Sequence, residues 1–156
     1  SMITPVEWKN NQVVLLDQRL LPVEEKYVTL NSVDEVAEAI LDMTVRGAPA
    51  IGVTAAMGVA LGALHLEADD FSGFVDGLQK ICLKLKATRP TAVNLEWGLD
   101  QMMQVVKQHT DSPIAIIRQN LIEKAKQIKE DDIAINRKIG SFGEKILFPG
   151  SKSAPV

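Results

Sequence analysis

At 156 residues the chain has room for one domain, or for one domain and part of a second. Hydrophobic residues make up 46% and aromatic residues only 4%, so any core must be aliphatic and closely fitted. A net charge of −3, with acids and bases interspersed, argues against a nucleic-acid-binding stripe or a polybasic membrane patch, and the single cysteine, Cys82, rules out an internal disulfide or a cysteine zinc cluster.

From Pro5 to Leu30 the pattern is short and alternating, in "VEWKNNQVVLLDQ" and then "KYVTL". Lys9-Asn10-Asn11 reads as a turn between two short strands, and Pro22 with Glu24-Glu25 separates a third. This predicts a small antiparallel sheet over residues 1–30. At Ser32 the period changes. Ser32 and Glu35 form a capping-box signature, and Val33, Val36, Ala37, Ile40 and Leu41 line one helical face.

The turn "RGAP" leads into a second helix that runs to about Leu66, with Pro49 suited to its first position. Residues 47–64 carry no charge and reach the length of a membrane span. Their Gly and Ala content, Pro49 and the lack of flanking basic clusters favour a buried helix instead. Gly52, Ala56 and Ala60 recur every four residues, as do Gly58 and Gly62. Each glycine costs about 1 kcal/mol against alanine inside a helix, so close packing must compensate, and this helix belongs at the centre of a bundle.

A third helix is expected from about Asp70 to Lys86, burying Phe71, Phe74, Val75, Leu78, Ile81, Cys82 and Leu85. After the break "ATRPTAVN" a fourth covers about Val93 to His109. Asp111-Ser112-Pro113 starts a long fifth helix with Ile114, Ile117, Leu121, Ala125 and Ile128 on one side, continuing toward Ile135 and Ile139 and fraying at Gly140 and Gly143. The expected fold is α+β: the sheet packed on about five helices spanning residues 31–148 within the same domain, followed by a divergent tail, 149–156.

Arg46 and Arg89 each stand just before a helix start. The first backbone N–H groups of a helix lack partners and the helix dipole is positive there. A guanidinium adds a planar fork that matches phosphate, and Gly47 leaves those N–H groups unobstructed. The pair therefore suggests an anion clamp.

"MTVRGAPAIG" followed by "TRPTAVNLEWG" resembles the methylthioribose-1-phosphate isomerase family, which is related to ribose-1,5-bisphosphate isomerases and to the regulatory subunits of initiation factor 2B. The opening "PVEW…VVLLDQRLLPVEEKYV" and the later "EDDIAINRKIGSFGEKI" are similar as well, so the likeness covers about residues 3 to 148. The resemblance implies that Arg46, Gly47, Ala48 and Arg89 contact a sugar phosphate. It implies an aldose-to-ketose isomerisation in methionine salvage, with no cofactor or metal. It also implies a second, Rossmann-like domain that carries the catalytic cysteine and aspartate. The likeness fades after Phe148, so this sequence is expected to hold no catalytic residue and to be inactive alone. The alternatives are a non-catalytic regulatory or interaction protein of the initiation factor 2B type and a fragment of a ribose-1,5-bisphosphate isomerase. A cytoplasmic setting is expected, with no nucleic-acid or membrane partner and with self-association through an exposed apolar face.

Other chemistry-bearing residues read more simply. Cys82 is a small core residue. His65 and His109 suit helix C-termini. Glu24-Glu25 and Asp131-Asp132 are solvated charge. Trp97, Met102 and Met103 belong to the core, and Asp17-Gln18-Arg19 forms a turn or an interdomain contact.

Overall fold

The computed structural model describes residues 5–146, with side chains to residue 133. Strands β1 (Val6–Lys9) and β2 (Gln12–Leu16) meet at Asn10-Asn11, whose φ angles of 53° and 57° are both left-handed. Asparagine tolerates that region, and two such residues in succession match the strands' twist. β2 is central. It pairs antiparallel with β1 from Val6 opposite Leu15 to Lys9 opposite Gln12, and with β3 (Tyr27–Leu30) from Val13 opposite Leu30 to Leu16 opposite Tyr27. Val6, Val13, Leu15 and Leu30 enter the same core as the helices.

Helix α1 (Val33–Leu41) starts as the capping box requires. Ser32 Oγ accepts from the Glu35 N–H at 3.1 Å, and the Glu35 carboxylate accepts from the Asn31 N–H at 2.8 Å. Val36, Ala37 and Ile40 are buried, but Leu41, expected on the same face, is exposed. The helix ends there, and the chain turns away through Met43, at φ 68°, before another element covers it.

Helix α2 (Ala48–His65) is central, as the small-residue pattern predicts, and every residue from Ile51 to Ala63 is buried. It is the one helix among the described residues long and apolar enough to cross a membrane, and it lies inside the bundle. Pro49 occupies the second helical position rather than the first; the N–H it lacks would be unpaired at either. The small residues serve three neighbouring helices. A Cβ on Gly98 would lie 2.5 Å from the Gly52 carbonyl oxygen, and one on Gly52 would lie 2.9 Å from the Asn94 carbonyl oxygen, so α4 (Val93–Gln108) approaches backbone to backbone. Gly58 instead receives Val36 and Leu85, and Gly62 receives Val33 and Ile81.

Helix α3 (Phe71–Thr88) is capped by Asp70, whose carboxylate accepts from the Gly73 N–H at 2.8 Å. Phe74, Leu78 and Leu85 are fully buried, while Phe71, Val75, Ile81 and Cys82 are half-buried against the core. Helix α5 (Ile114–Ile146) buries Ile117, Leu121, Ala125 and Ile128. It continues past Gly140 and Gly143 instead of ending there, because helix interiors admit glycine at modest cost. The apolar side chains expected at Ile135 and Ile139 lie outside the described side chains, and the tail 149–156 lies outside the described residues. A three-stranded antiparallel sheet on a five-helix bundle is thus the observed α+β fold, with no parallel sheet among the described residues.

Candidate functional site

The segment leading to Arg46 is held on both sides. Asp17, buried at 2% exposure, accepts from Arg19 through the backbone N–H at 3.0 Å, Nε at 2.9 Å and the terminal guanidinium at 2.8 Å. Arg19 also reaches Asp42 at 3.2 Å, and Asp42 accepts from the Thr44 N–H at 2.9 Å and hydroxyl at 2.6 Å. The Gln18 N–H donates to the Thr44 carbonyl at 2.8 Å. "DQR" is therefore a turn that ties the end of β2 to the connection between α1 and α2. Arg19 holds the Asp17 carboxyl below the usual carboxylate range, chiefly by side-chain hydrogen bonding against the opposing cost of burial. Val45, buried beside this network, anchors the chain just before Arg46 emerges into solvent.

Gly47 precedes α2 with φ 97° and ψ 133°. A Cβ there would meet nothing within 4 Å, so the backbone angle rather than crowding calls for glycine. No side chain caps the first turn of α2. Arg46 and Gly47 line a cavity of about 230 Å³ together with Pro5, Ala50, Lys129 and Asp132. The Arg46 guanidinium has no hydrogen-bond or ion-pair partner among the described residues. Burial raises the Asp132 carboxyl. Two cations and an uncapped helix N-terminus make this cavity suited to an anion.

A second cleft of about 100 Å³ adjoins it, sharing Pro49, Val53 and Asp132 and adding Gly52, Asn94, Trp97, Ile128 and Asp131. Its walls are mainly apolar. Trp97 is 50% exposed, which corrects its assignment to the core. The contact of Gly52 with Asn94 carries Trp97, one helical turn further along α4, to the cleft instead of inward. Asp131-Asp132 is likewise more than solvated charge. Asp131 is exposed, but Asp132 is half-buried and lines both cavities.

The sequence-derived clamp residues are placed unequally. Arg46 and Gly47 share the cavity, whereas Ala48, the exposed first residue of α2, and Arg89 are not among the residues lining it. Arg89 ends α3, its backbone N–H donating to the Lys86 carbonyl at 3.2 Å, and its side chain is exposed. Lys129 escaped the sequence reading because a lone lysine on an amphipathic helix carries no signal of what it faces. Arg118 did as well. Its guanidinium donates to the carbonyls of Ala63 at 2.9 Å and Leu66 at 2.6 Å and lies 5.5 Å from the centre of the Phe74 ring, closing the far end of α2.

The remaining readings hold. Burial, with a smaller contribution from Asp100, pushes the half-buried Cys82 thiol up to about 11 and away from nucleophilic use. His109 Nδ1 sits 2.8 Å from the Val105 carbonyl at the end of α4, and His65 is the last residue of α2. Met102 is buried and Met103 half-buried. Glu24 and Glu25 are exposed.

Comparison with known proteins adds a family to this geometry. Residues 44–152, which include the Arg46 loop, α2, α4 and the Lys129–Asp132 stretch, match the Initiation factor 2 subunit family. A methylthioribose-1-phosphate isomerase of Syntrophotalea carbinolica is 46% identical over 145 residues, covering 93% of this chain and 42% of the relative. The crystal structure of 5-methylthioribose 1-phosphate isomerase from Pyrococcus horikoshii superposes with a TM-score of 0.89 at 42% identity, over 94% of this chain and 41% of that one. Subunit delta of translation initiation factor eIF-2B from A. fulgidus superposes with a TM-score of 0.85 at 31% identity, over 96% of this chain and 43% of that one. The chain therefore spans about two fifths of the relatives it matches. With that match running through the loop, helices and cations that build the cavity, the chain belongs to the Initiation factor 2 subunit family.

Proposed function

We propose that the chain is the N-terminal, phosphate-gripping part of a methylthioribose-1-phosphate isomerase, working in the cytoplasm. The observation that carries this reading is the pairing of Arg46 and Lys129 in a cavity at an uncapped helix N-terminus, in a chain 46% identical to a relative of that name. In such a substrate the anomeric oxygen is esterified to phosphate, so the ring cannot open freely. An acid group must assist opening, and hydrogen must then move between C1 and C2 away from water. Arg46 would hold the phosphate and so orient those carbons. Arg89, exposed at the end of α3, would supply a second arm once substrate is seated. The family resemblance assigns the catalytic cysteine and aspartate to a second domain, so these 156 residues would bind without turnover.

A proton NMR time course with methylthioribose 1-phosphate, beside calorimetric titration, tests both parts. Binding without ketose is expected, and Arg46→Ala should weaken it by at least about tenfold, the value of a charge-assisted pair, with an unchanged melting temperature. Appearance of the ketose would place catalytic groups within this chain. The close superposition on an initiation-factor subunit favours a second reading, a regulatory interaction domain. Recovery of initiation-factor subunits in a pull-down, with no sugar-phosphate binding, would establish that reading instead.

A further inference from the structure

Helices α3 and α4 leave a groove of about 350 Å³ between them, which shares no residue with the Arg46 cavity or the cleft beside it. Its walls are mainly apolar, with Cys82 and Leu83 from α3 and Leu99 and Met103 from α4. Leu83 is 68% exposed. Lys86 and Glu96 pair across one end at 2.9 Å. Gln79 and Met103, seven residues further along each helix, line the same groove, so α3 and α4 run antiparallel and in step. Continuing to about 15 Å from that ion pair reaches Asp76 on α3 and Lys107 on α4. Asp76 lies two turns from Leu83 and Lys107 one turn from Met103, so both stand on the groove face. Both are exposed, and neither has an ion-pair partner among the described residues. The face thus has an apolar middle and charged corners, with each helix positive at one end and negative at the other.

Such a pattern is complementary to itself. A two-fold axis lying in the face, parallel to the helices, lays α3 of one copy on α4 of another at the same level. Lys86 then meets Glu96 and Asp76 meets Lys107, each contact occurring twice. Leu83 falls opposite Leu99 and enters the second copy's groove. An axis across the helices also matches the charges, Lys86 with Asp76 and Glu96 with Lys107, but it sets Leu83 against the amide of Gln79. The apolar match selects the first axis, and the exposed Asp100 stays at the wet rim. We propose that the α3–α4 face is where a second copy of this chain docks, forming an antiparallel four-helix bundle with Leu83 as its central anchor. The patch is two helices wide and about 15 Å long, at the small end of specific interfaces, so the dissociation constant should be on the order of tens of micromolar. The inference is independent of the sugar-phosphate reading.

Sedimentation velocity of the full chain, from well below that concentration to well above it, tests this. Wild type should pass from monomer to dimer. Leu83→Glu alters a side chain already largely in water, so the fold should stand while the dissociation constant rises by at least about tenfold. Asp76→Lys and Lys107→Glu should each weaken association, because each sets like charges together at two places. An equimolar mixture of those two variants should recover wild-type association, since the new lysine then faces the new glutamate. Such recovery cannot come from misfolding of either variant, and the axis across the helices does not provide it. A chain that stays monomeric throughout, a dimer indifferent to Leu83→Glu, or a mixture that fails to recover would each overturn the proposal.

Discussion

Arg46 is flanked by two residues with positive φ, Met43 at 68° and Gly47 at 97°. A methionine in that region is uncommon, and here hydrogen bonds at the next residue hold it: the Thr44 N–H donates to the Asp42 carboxylate, and the Thr44 carbonyl accepts from the Gln18 N–H. Gly47→Ala has open space for its Cβ, so its cost is backbone strain of about 1–2 kcal/mol. It should lower the melting temperature and, by shifting the loop, weaken phosphate binding; thermal melts and titration calorimetry read the two effects separately. Asp17 gives a pH signature. Its carboxyl is held below the ordinary 3.8 by Arg19, so the folded state favours the ionised form. The associated stability is fully present above about pH 4 and is lost as pH falls through the lower folded value. Urea midpoints measured from roughly pH 7 down to 3 should fall less steeply at the acid end for Asp17→Asn than for wild type. The motif "RGAP" made Arg46 and Gly47 legible in the sequence, since an arginine and a glycine before a helix start are local features. Asp17 and Arg19 were legible only as a turn, because the Asp42 that completes their network comes from a different element.

Among the elements, the four-residue spacing of small side chains in α2 announced close packing without naming the neighbour. Gly52 and Gly98 meet backbone to backbone, so a Cβ on Gly98 can be accommodated only by moving α4. Gly98→Ala should therefore destabilise by about 1–3 kcal/mol. Gly62→Ala would meet the side-chain ends of Ile81 and Val33 at 2.6 and 2.7 Å, groups that can rotate, so its cost should be the smaller of the two. Denaturant melts of the pair check the order, and equal losses would mean that the α2–α4 contact yields as readily as a side chain. The capping box at Ser32 and the cap at Asp70 were both readable because a cap and the N–H it receives lie within one turn. Leu41 and Trp97 were misjudged for a shared reason. Helical periodicity says which residues share a face, and the neighbour's reach says whether that face is covered there.

Over the whole bundle, α2 touches every other helix and the sheet, and its residues from Ile51 to Ala63 have no route to solvent short of opening the core. Their amide protons should exchange only by global unfolding, with protection near the full stability of the protein, while the Asn10-Asn11 turn exchanges quickly. Hydrogen-exchange mass spectrometry reads this directly, and fast exchange in α2 would mean the bundle opens in parts. The amino-acid sequence sufficed for the five helices, the three strands, the central place of α2 and the Arg46 end of a candidate site, because periodicity, caps and turns are written within short windows. The fold alone determined that Lys129 and Asp132 of α5 line the Arg46 cavity and that Trp97 of α4 stands at the adjoining cleft, which shares Asp132. That convergence depends on how three helices cross, and the crossing of α2 with α4 rests on a close backbone approach between Gly52 and Gly98, residues far apart in the chain.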